Sequence, residues 1–291
     1  MAKFKNPKLF STYFNLDAKI LKEAGLIDPF LEIDTQLFID PVLLEKSSNS
    51  KISVDGYAAF RKHFENYLRL LQISKATDDA AWKAARRLLD LREPPQNGLG
   101  YGGSSRSGSS RPEQIQDAIL KTSKEIVELG ADDPEMISLM GFFEENVGPD
   151  TISDFTTRVI MEQLAAITEE FCQKNNIPIQ SVDYLGSRSL PHVQLSSGRK
   201  SPLVLVPEDI VRDLPIAKDW SGIEKAIVQN GQIRAKVNSL LAGIATPTVS
   251  DKKSALRQFA LSSADALNLF LATVKEHITS YDPNLDALEL R

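Results

Sequence analysis

The sequence predicts a mainly α-helical protein with a small antiparallel β-sheet, an α+β chain around a bundle-like helical core. Three observations carry that prediction. Apolar residues recur at three- and four-residue spacing over most of the chain, as at Tyr57, Phe60, Phe64, Tyr67 and Leu71, which gathers them on one helical face. Strand-like runs are confined to 36–39 and to the stretch at about 180–207, where turn residues separate short apolar segments. Strands do not alternate with helices along the chain, which excludes a doubly wound α/β fold. The 291 residues then divide into a mainly helical region at 1–178 and a small sheet followed by helices at 179–291, or the two form one continuous domain.

Taken in order, residues 1–50 look irregular apart from a short helix at about 16–24, stopped by Gly25. Asp28-Pro29 and Asp40-Pro41 read as turns that bracket the strand-like run at 36–39, because a residue before proline is pushed toward extended geometry. The periodic stretch 54–73 is a helix, and a second at 78–91 turns Trp82, Ala85, Leu88 and Leu89 inward before Pro94-Pro95 ends it. The composition then changes: 97–111 reads NGLGYGGSSRSGSSR, with too little apolar surface to order itself alone. Pro112 suits a first helical position, so a helix is expected at 112–129, ended by Gly130, and another at 134–146 before Gly148-Pro149. The stretch 151–174 is the strongest helical pattern, with Thr151 and Asp154 spaced as in a capping box and a stripe of Ile152, Phe155, Val159, Ile160, Leu164, Ile167 and Phe171. Strands are expected around 182–185, 193–195 and 203–206, with 196–200 as the turn of a hairpin, then helices at 208–214, at 223–244 with a bend near Gly231, and at 252–278.

Composition narrows the function classes. Thirty-four Lys plus Arg against thirty-nine Asp plus Glu leave a net charge of -5, which excludes a globally basic nucleic-acid binder but not a local basic patch. Cys172 is the one cysteine, so no intramolecular disulfide forms and a reducing compartment is expected. The opening MAKFKNPKLFSTYFNLD has no apolar run of signal-peptide length, and no segment reaches the roughly 18 apolar residues of a membrane helix. A cytoplasmic protein without a membrane partner is expected. His63, His192 and His277 are scattered, which argues against a zinc site of the usual spacing and weakens any histidine-dependent triad. No GxxxxGK[ST] loop is present, and no convincing Glu-x-Lys falls within a strand-like run.

Two constellations are candidates for chemistry. In the first, Gly100, Gly102 and Gly103 free backbone N–H groups while Arg106 and Arg111 add charge ahead of a helix N-terminus, a pattern suited to a phosphate contact. A plain surface linker is the competing account, although about fifteen residues is long for one inside a domain. In the second, Asp34, Asp40, Asp150 and Asp154 would hold Mg²⁺ if their carboxylates converged. Capping and dipole complementation explain Asp150 and Asp154 equally well. Arg92 and Glu93 at a helix end, a weak basic patch at Tyr184, Arg188 and Arg199, and another at Arg86, Arg87 and Arg92 are lesser candidates. His192 stands beside turn-like sequence, and Cys172 reads as a small core residue.

Four strings, FIDPVLL at 38–44, GPDTISDFTTRVI at 148–160, PLVLVPEDIVRDLPIAKDW at 202–220 and YDPNLD at 281–286, resemble a loose set of uncharacterised bacterial proteins linked to restriction and anti-phage defence. In that set the glycine-rich loop likewise follows a Leu-Arg-Glu-Pro helix end, Leu91 to Pro94 in this chain. Larger members continue past the YDPNLD region into a restriction-endonuclease-like domain, whereas this sequence stops at Arg291. The resemblance therefore implies a non-catalytic module that binds or senses nucleic acid or a phage protein, or works with a defence-system partner subunit, and it needs no cofactor. A metal-dependent nuclease or phosphodiesterase using the aspartates and Mg²⁺ is the enzymatic alternative. An oligomeric scaffold built on amphipathic helices is the structural one. The readings part on one spatial question: whether the glycine loop, Asp40, Glu93 and Asp150 surround one cleft.

Overall fold

In a computed structural model, residues 8–31, 33–35, 37–91, 97–100, 113–144, 147–183, 188–194, 198, 200–213 and 230–280 are described. They are mainly α-helical with small antiparallel two-stranded sheets. Near the N-terminus, α1 (Phe10–Tyr13) falls in a stretch that looked irregular, and α2 (Ala18–Glu23) starts at the Asp17 cap and stops before Gly25, whose φ of 64° favours glycine. Next come β1 (Leu37–Ile39) and a 3-10 turn, Pro41–Lys46.

The core is organised around α3 (Tyr57–Ile73), which a π-helical turn, Lys51–Gly56, introduces. Phe60, Phe64, Tyr67 and Leu71 are buried along its inward face. The Tyr67 hydroxyl donates to Ser123 Oγ at 3.0 Å, so its burial leaves no polar orphan. Lys124 Nζ donates to the carbonyls of Leu71 and Ser74, each at 2.9 Å, and satisfies acceptors that a helix C-terminus leaves open. Against α3 pack α4 (Ala80–Leu88), capped by Asp79, and α5 (Glu113–Glu128). Arg86 joins these two helices through an ion pair with Asp117.

The helix expected at 134–146 opens as a 3-10 turn, Pro134–Leu139, and becomes α6 (Met140–Phe143). The long helix expected at 151–174 is two: α7 (Pro149–Val159) and α8 (Met161–Lys174), parted at Ile160 with ψ at 14°. The Thr156 hydroxyl donates back to the Ile152 carbonyl at 2.7 Å, a bond that bends helices. Gly148 is the N-cap of α7 with Pro149 in its first turn, so Thr151 and Asp154 are not its capping box. Both are buried within the helix.

The strands are β2 (Gln180–Ser181), β3 (Ser189–Leu190), β4 (His192–Gln194), β5 (Lys200–Pro202) and β6 (Val211–Asp213). They pair antiparallel as β1 with β6, β2 with β3 and β4 with β5. Among the described residues, the single small sheet expected at 180–207 is thus two separate ones, and a third pairs β1 with β6 outside that stretch. Residues 203–206 are buried but not a strand; the Leu205 amide donates to Thr168 Oγ1 at 2.8 Å, and Val206 O accepts from the Ile27 amide at 3.0 Å. The expected helix at 208–214 is a 3-10 turn, Glu208–Ile210, followed by β6. Long-range pairing with β1 and the complete burial of Ile210 and Val211 outweigh the local helical pattern.

Of the helix expected at 223–244, residues 223–229 lie outside the described residues, and α9 (Gly231–Leu241) carries the remainder. The last helix, expected at 252–278, is α10 (Val249–Ala260) and α11 (Ala264–His277), separated where Ser263 caps the second. Thr248 and Asp251 form a complete capping box on α10. Phe270 of α11 packs on Phe142 and Phe143 with ring centroids 5.4 and 5.9 Å away. No described helix is long and apolar enough to cross a membrane.

Candidate functional site

The beginning of the glycine-rich segment is built into the protein. The Thr35 amide donates to Gly98 O at 2.8 Å and the Gly100 amide to Thr35 O at 3.0 Å, forming a short parallel bridge between Thr35 and Leu99. The Leu99 amide donates to Asn97 Oδ1 at 3.2 Å, and Asn97 Nδ2 donates to Thr157 Oγ1 on α7 at 3.1 Å. Gly98 and Gly100 hold φ values of 65° and 136°, which side-chain-bearing residues rarely adopt. One turn of chain is therefore fixed on two sides, by the segment before β1 and by α7.

Two of the predicted aspartates meet at that turn. A Cβ placed on Gly100 would lie 3.0 Å from Asp150 Oδ1 and 3.7 Å from Asp34 Oδ2. Two carboxylate oxygens from segments far apart in sequence thus fall within 4 Å of one point. Asp34 is buried, and Asp150 stands in the first turn of α7, where the positive end of the helix dipole favours a carboxylate. The inner side of α7 is unusually polar: Thr151, Ser153, Asp154, Thr156 and Thr157 are all buried. Ser153 Oγ accepts from the Ile39 amide at 2.9 Å and so ties α7 to β1. Two carboxylates brought to one turn are oxygen ligands of the kind a divalent cation takes.

Asp40 does not join the pair on Gly100. Its Oδ1 accepts from the Val42 amide at 3.1 Å, capping the 3-10 turn, and its Oδ2 accepts from Arg212 at 2.8 Å. The Arg212 guanidinium also lies 5.4 Å from the centre of the Phe38 ring. Asp40 thus locks β1 to β6. Asp154, one turn beyond Asp150 on α7, is buried at 2% exposure. Among the described residues, no group of three or more His, Cys, Asp or Glu side chains is gathered to hold a metal ion. Gly102, Gly103, Arg106, Arg111, Arg92, Glu93, Tyr184 and Arg199 lie outside the described residues. Arg188 pairs with Glu169 at 3.3 Å, and Arg86 is taken up by Asp117. Burial pushes the Cys172 thiol up to about 12, as expected of a packed, unreactive cysteine.

A second polar centre gave no signal in the sequence. Glu135, 1% exposed, accepts from the Tyr57 hydroxyl at 2.5 Å and is ion-paired with Lys275 Nζ at 2.5 Å, with Arg61 at 3.5 Å. Burial, followed by the bond to Glu135, pushes the Tyr57 phenol up to about 12. The cluster joins α3, the 3-10 turn at Pro134 and α11, which is a structural task. Asn97, Ser153 and Thr157 at the first centre were also missed. The available sign was the run TISDFTT at 151–157, in which polar residues fill the helical face that should carry apolar ones.

The family model described as "Domain of unknown function (DUF8370)" matches residues 15–218. That span holds Asp34, Gly100 and Asp150 and leaves α9 to α11 outside it. No curated protein and no solved structure matches the chain.

Proposed function

The chain belongs to the family of domains of unknown function DUF8370, and from that premise we propose that it is a non-catalytic binding or sensing component of a bacterial anti-phage defence or restriction-type system. Its contact is with nucleic acid, made through the glycine-, serine- and arginine-rich segment. One observation supports this most: the segment is launched from a fixed root, Asn97–Gly100, clamped to α7 and to the stretch before β1. A loop fixed at its root and carrying Arg106 and Arg111 loses less freedom on binding than a loose linker does. The defence setting rests on the resemblance of the four sequence strings. The test is fluorescence anisotropy with single- and double-stranded DNA and RNA over a range of salt. We expect affinity that falls with salt, and in Arg106→Ala plus Arg111→Ala a weaker affinity whose salt slope is shallower by about 1.8, two phosphate contacts at about 0.9 each. Binding with an unchanged slope removes the loop from the function.

The meeting of Asp34 and Asp150 beside Gly100 favours a second reading, a divalent cation held by oxygen ligands and with it a metal-dependent phosphodiesterase. Under that reading Mg²⁺ or Mn²⁺ raises the unfolding temperature of the parent but not of Asp150→Asn, and a labelled oligonucleotide is cleaved. Absence of both effects rejects it.

A further inference from the structure

We infer that Lys253, on α10, is a positioning residue for Asp150, so that the C-terminal helices control the carboxylate pair at Gly100. Lys253 is 2% exposed, an unusual place for an ammonium, since burying one costs several kcal/mol before its partners are counted. Its Nζ reaches two backbone carbonyls. It donates to the carbonyl of Glu144 and reaches the carbonyl of Val147 at 3.4 Å. Val147 is followed at once by Gly148, the cap of α7, then Pro149 and Asp150. The ammonium thus holds the Glu144 and Val147 carbonyls, the second of them three residues before Asp150.

The same segment is held a second time from the same helix. The Thr122 hydroxyl donates to Glu144 Oε1, and Arg257, one turn beyond Lys253, donates to Thr122 Oγ1 at 3.2 Å and to Glu125 Oε2 at 2.6 Å. Arg257 Nε also stands 3.8 Å from Glu144 Oε1. Glu144 is therefore fixed by its backbone through Lys253 and by its carboxylate through Thr122 and Arg257. The helix that supplies both cations is anchored by its capping box and by buried Leu256 and Phe259. It lies beyond the family match at 15–218, whereas Asp34, Gly100 and Asp150 lie within it. An element outside the family-defining region thus sets the geometry of a site inside it. A partner that displaced α10 would release the entrance of α7 and loosen Asp150 against Gly100.

The inference rests on reading Asp34, Gly100 and Asp150 as the functional site, but its test needs neither nucleic acid nor metal, so the two stand or fall separately. In the full chain, amide hydrogen exchange is followed in urea below the unfolding transition. The amides of α10 and those of Ile152–Phe155 on α7 are expected to converge on one opening event, of lower free energy than the global unfolding that exposes α3. Two independent openings overturn the inference. A second measurement compares Lys253→Met, which keeps the stem and removes the ammonium, with Leu256→Ala, which weakens the same helix and leaves the ammonium in place. At urea concentrations chosen to match global stability, exchange at Ile152–Phe155 should be at least tenfold faster in Lys253→Met than in Leu256→Ala, with α3 unchanged between them. Equal exchange in the two variants makes Lys253 a general stabiliser and overturns the positioning role.

Discussion

Gly100→Ala is the substitution to which the candidate site should respond most directly. The residue holds φ at 136°, and an added Cβ would stand 3.0 Å from Asp150 Oδ1. Holding alanine in that backbone region costs about 1–3 kcal/mol. A contact of 3.0 Å is tighter than most Cβ atoms make, so Asp150 must move by a few tenths of an ångström. Its backbone is fixed in the first turn of α7, and the adjustment falls on its side chain, at about 0.5–1.5 kcal/mol for an off-rotamer angle. Restricting the unfolded chain returns about 0.4–1 kcal/mol. The net expectation is a loss of about 0.5–4 kcal/mol, measured as a lower urea midpoint at unchanged slope by far-ultraviolet circular dichroism. Asp150→Ala should relieve the contact but not the backbone strain. A double-mutant cycle should therefore show a coupling of about 0.5–1.5 kcal/mol, the side-chain part alone. If Gly100→Ala is as stable as the parent, the root of the loop is not clamped as described, and the proposed launch of the arginine-bearing segment loses its support.

Three further outcomes follow from the structure. Lys275→Met removes one cation from the buried Glu135 carboxylate and should cost about 3 kcal/mol in urea unfolding; Glu45→Gln, which breaks only a half-exposed contact at 3.8 Å to the same lysine, should stay within about 0.5 kcal/mol. Tyr57 has its phenol raised from 10.0 to about 12. The folded state thus favours the protonated form, so this contribution is complete below pH 10, declines as pH rises and is gone above about 12. Ultraviolet titration of phenolate should show one late-ionising tyrosine fewer in Tyr57→Phe, and identical curves would count against the Glu135 bond. Cys172, its thiol raised by burial to about 12, should resist a thiol-specific disulfide reagent in native buffer and react on unfolding; prompt native labelling would contradict its packing.

Local pattern sufficed for the fold wherever a helix is amphipathic and ends on a strong stop signal. The stripe of α3 and the breaks at Gly25 and Gly130 were legible because periodicity and punctuation act within a few residues. Patterning stopped short where tertiary contacts decide. Ile160 belongs to one continuous apolar stripe, yet α7 and α8 part there, since a stripe specifies a face and not the straightness of its axis. Residues 208–214 have helical spacing, but Phe38 of β1 is 174 residues before its partner Arg212, and no local window contains that pairing. The junction between α10 and α11 shows the opposite case: Ser263 is a good N-cap in plain sight, hidden only because the apolar spacing continues through it.

For the site, the residue types were legible and their grouping was not. Asp34, Asp40, Asp150 and Asp154 stand alike in a sequence, but the fold gives them different tasks. Asp40 is consumed by Arg212 and by the Val42 amide, while Asp34 and Asp150 converge on Gly100. What sets Asp34 and Asp150 together is the close approach of a backbone without Cβ at Gly100. The same contrast bears on the glycines: Gly100 is required by its φ and its neighbours, a demand that a count of glycines in a loop cannot express. The polar face of α7 is the more general lesson. A helix that buries Thr151, Ser153, Asp154, Thr156 and Thr157 gives up apolar contact that leucine or isoleucine would supply, and each polar group must find a partner. Ser153 finds the Ile39 amide and Thr157 finds Asn97. That polar face therefore fixes strand, helix and loop root together.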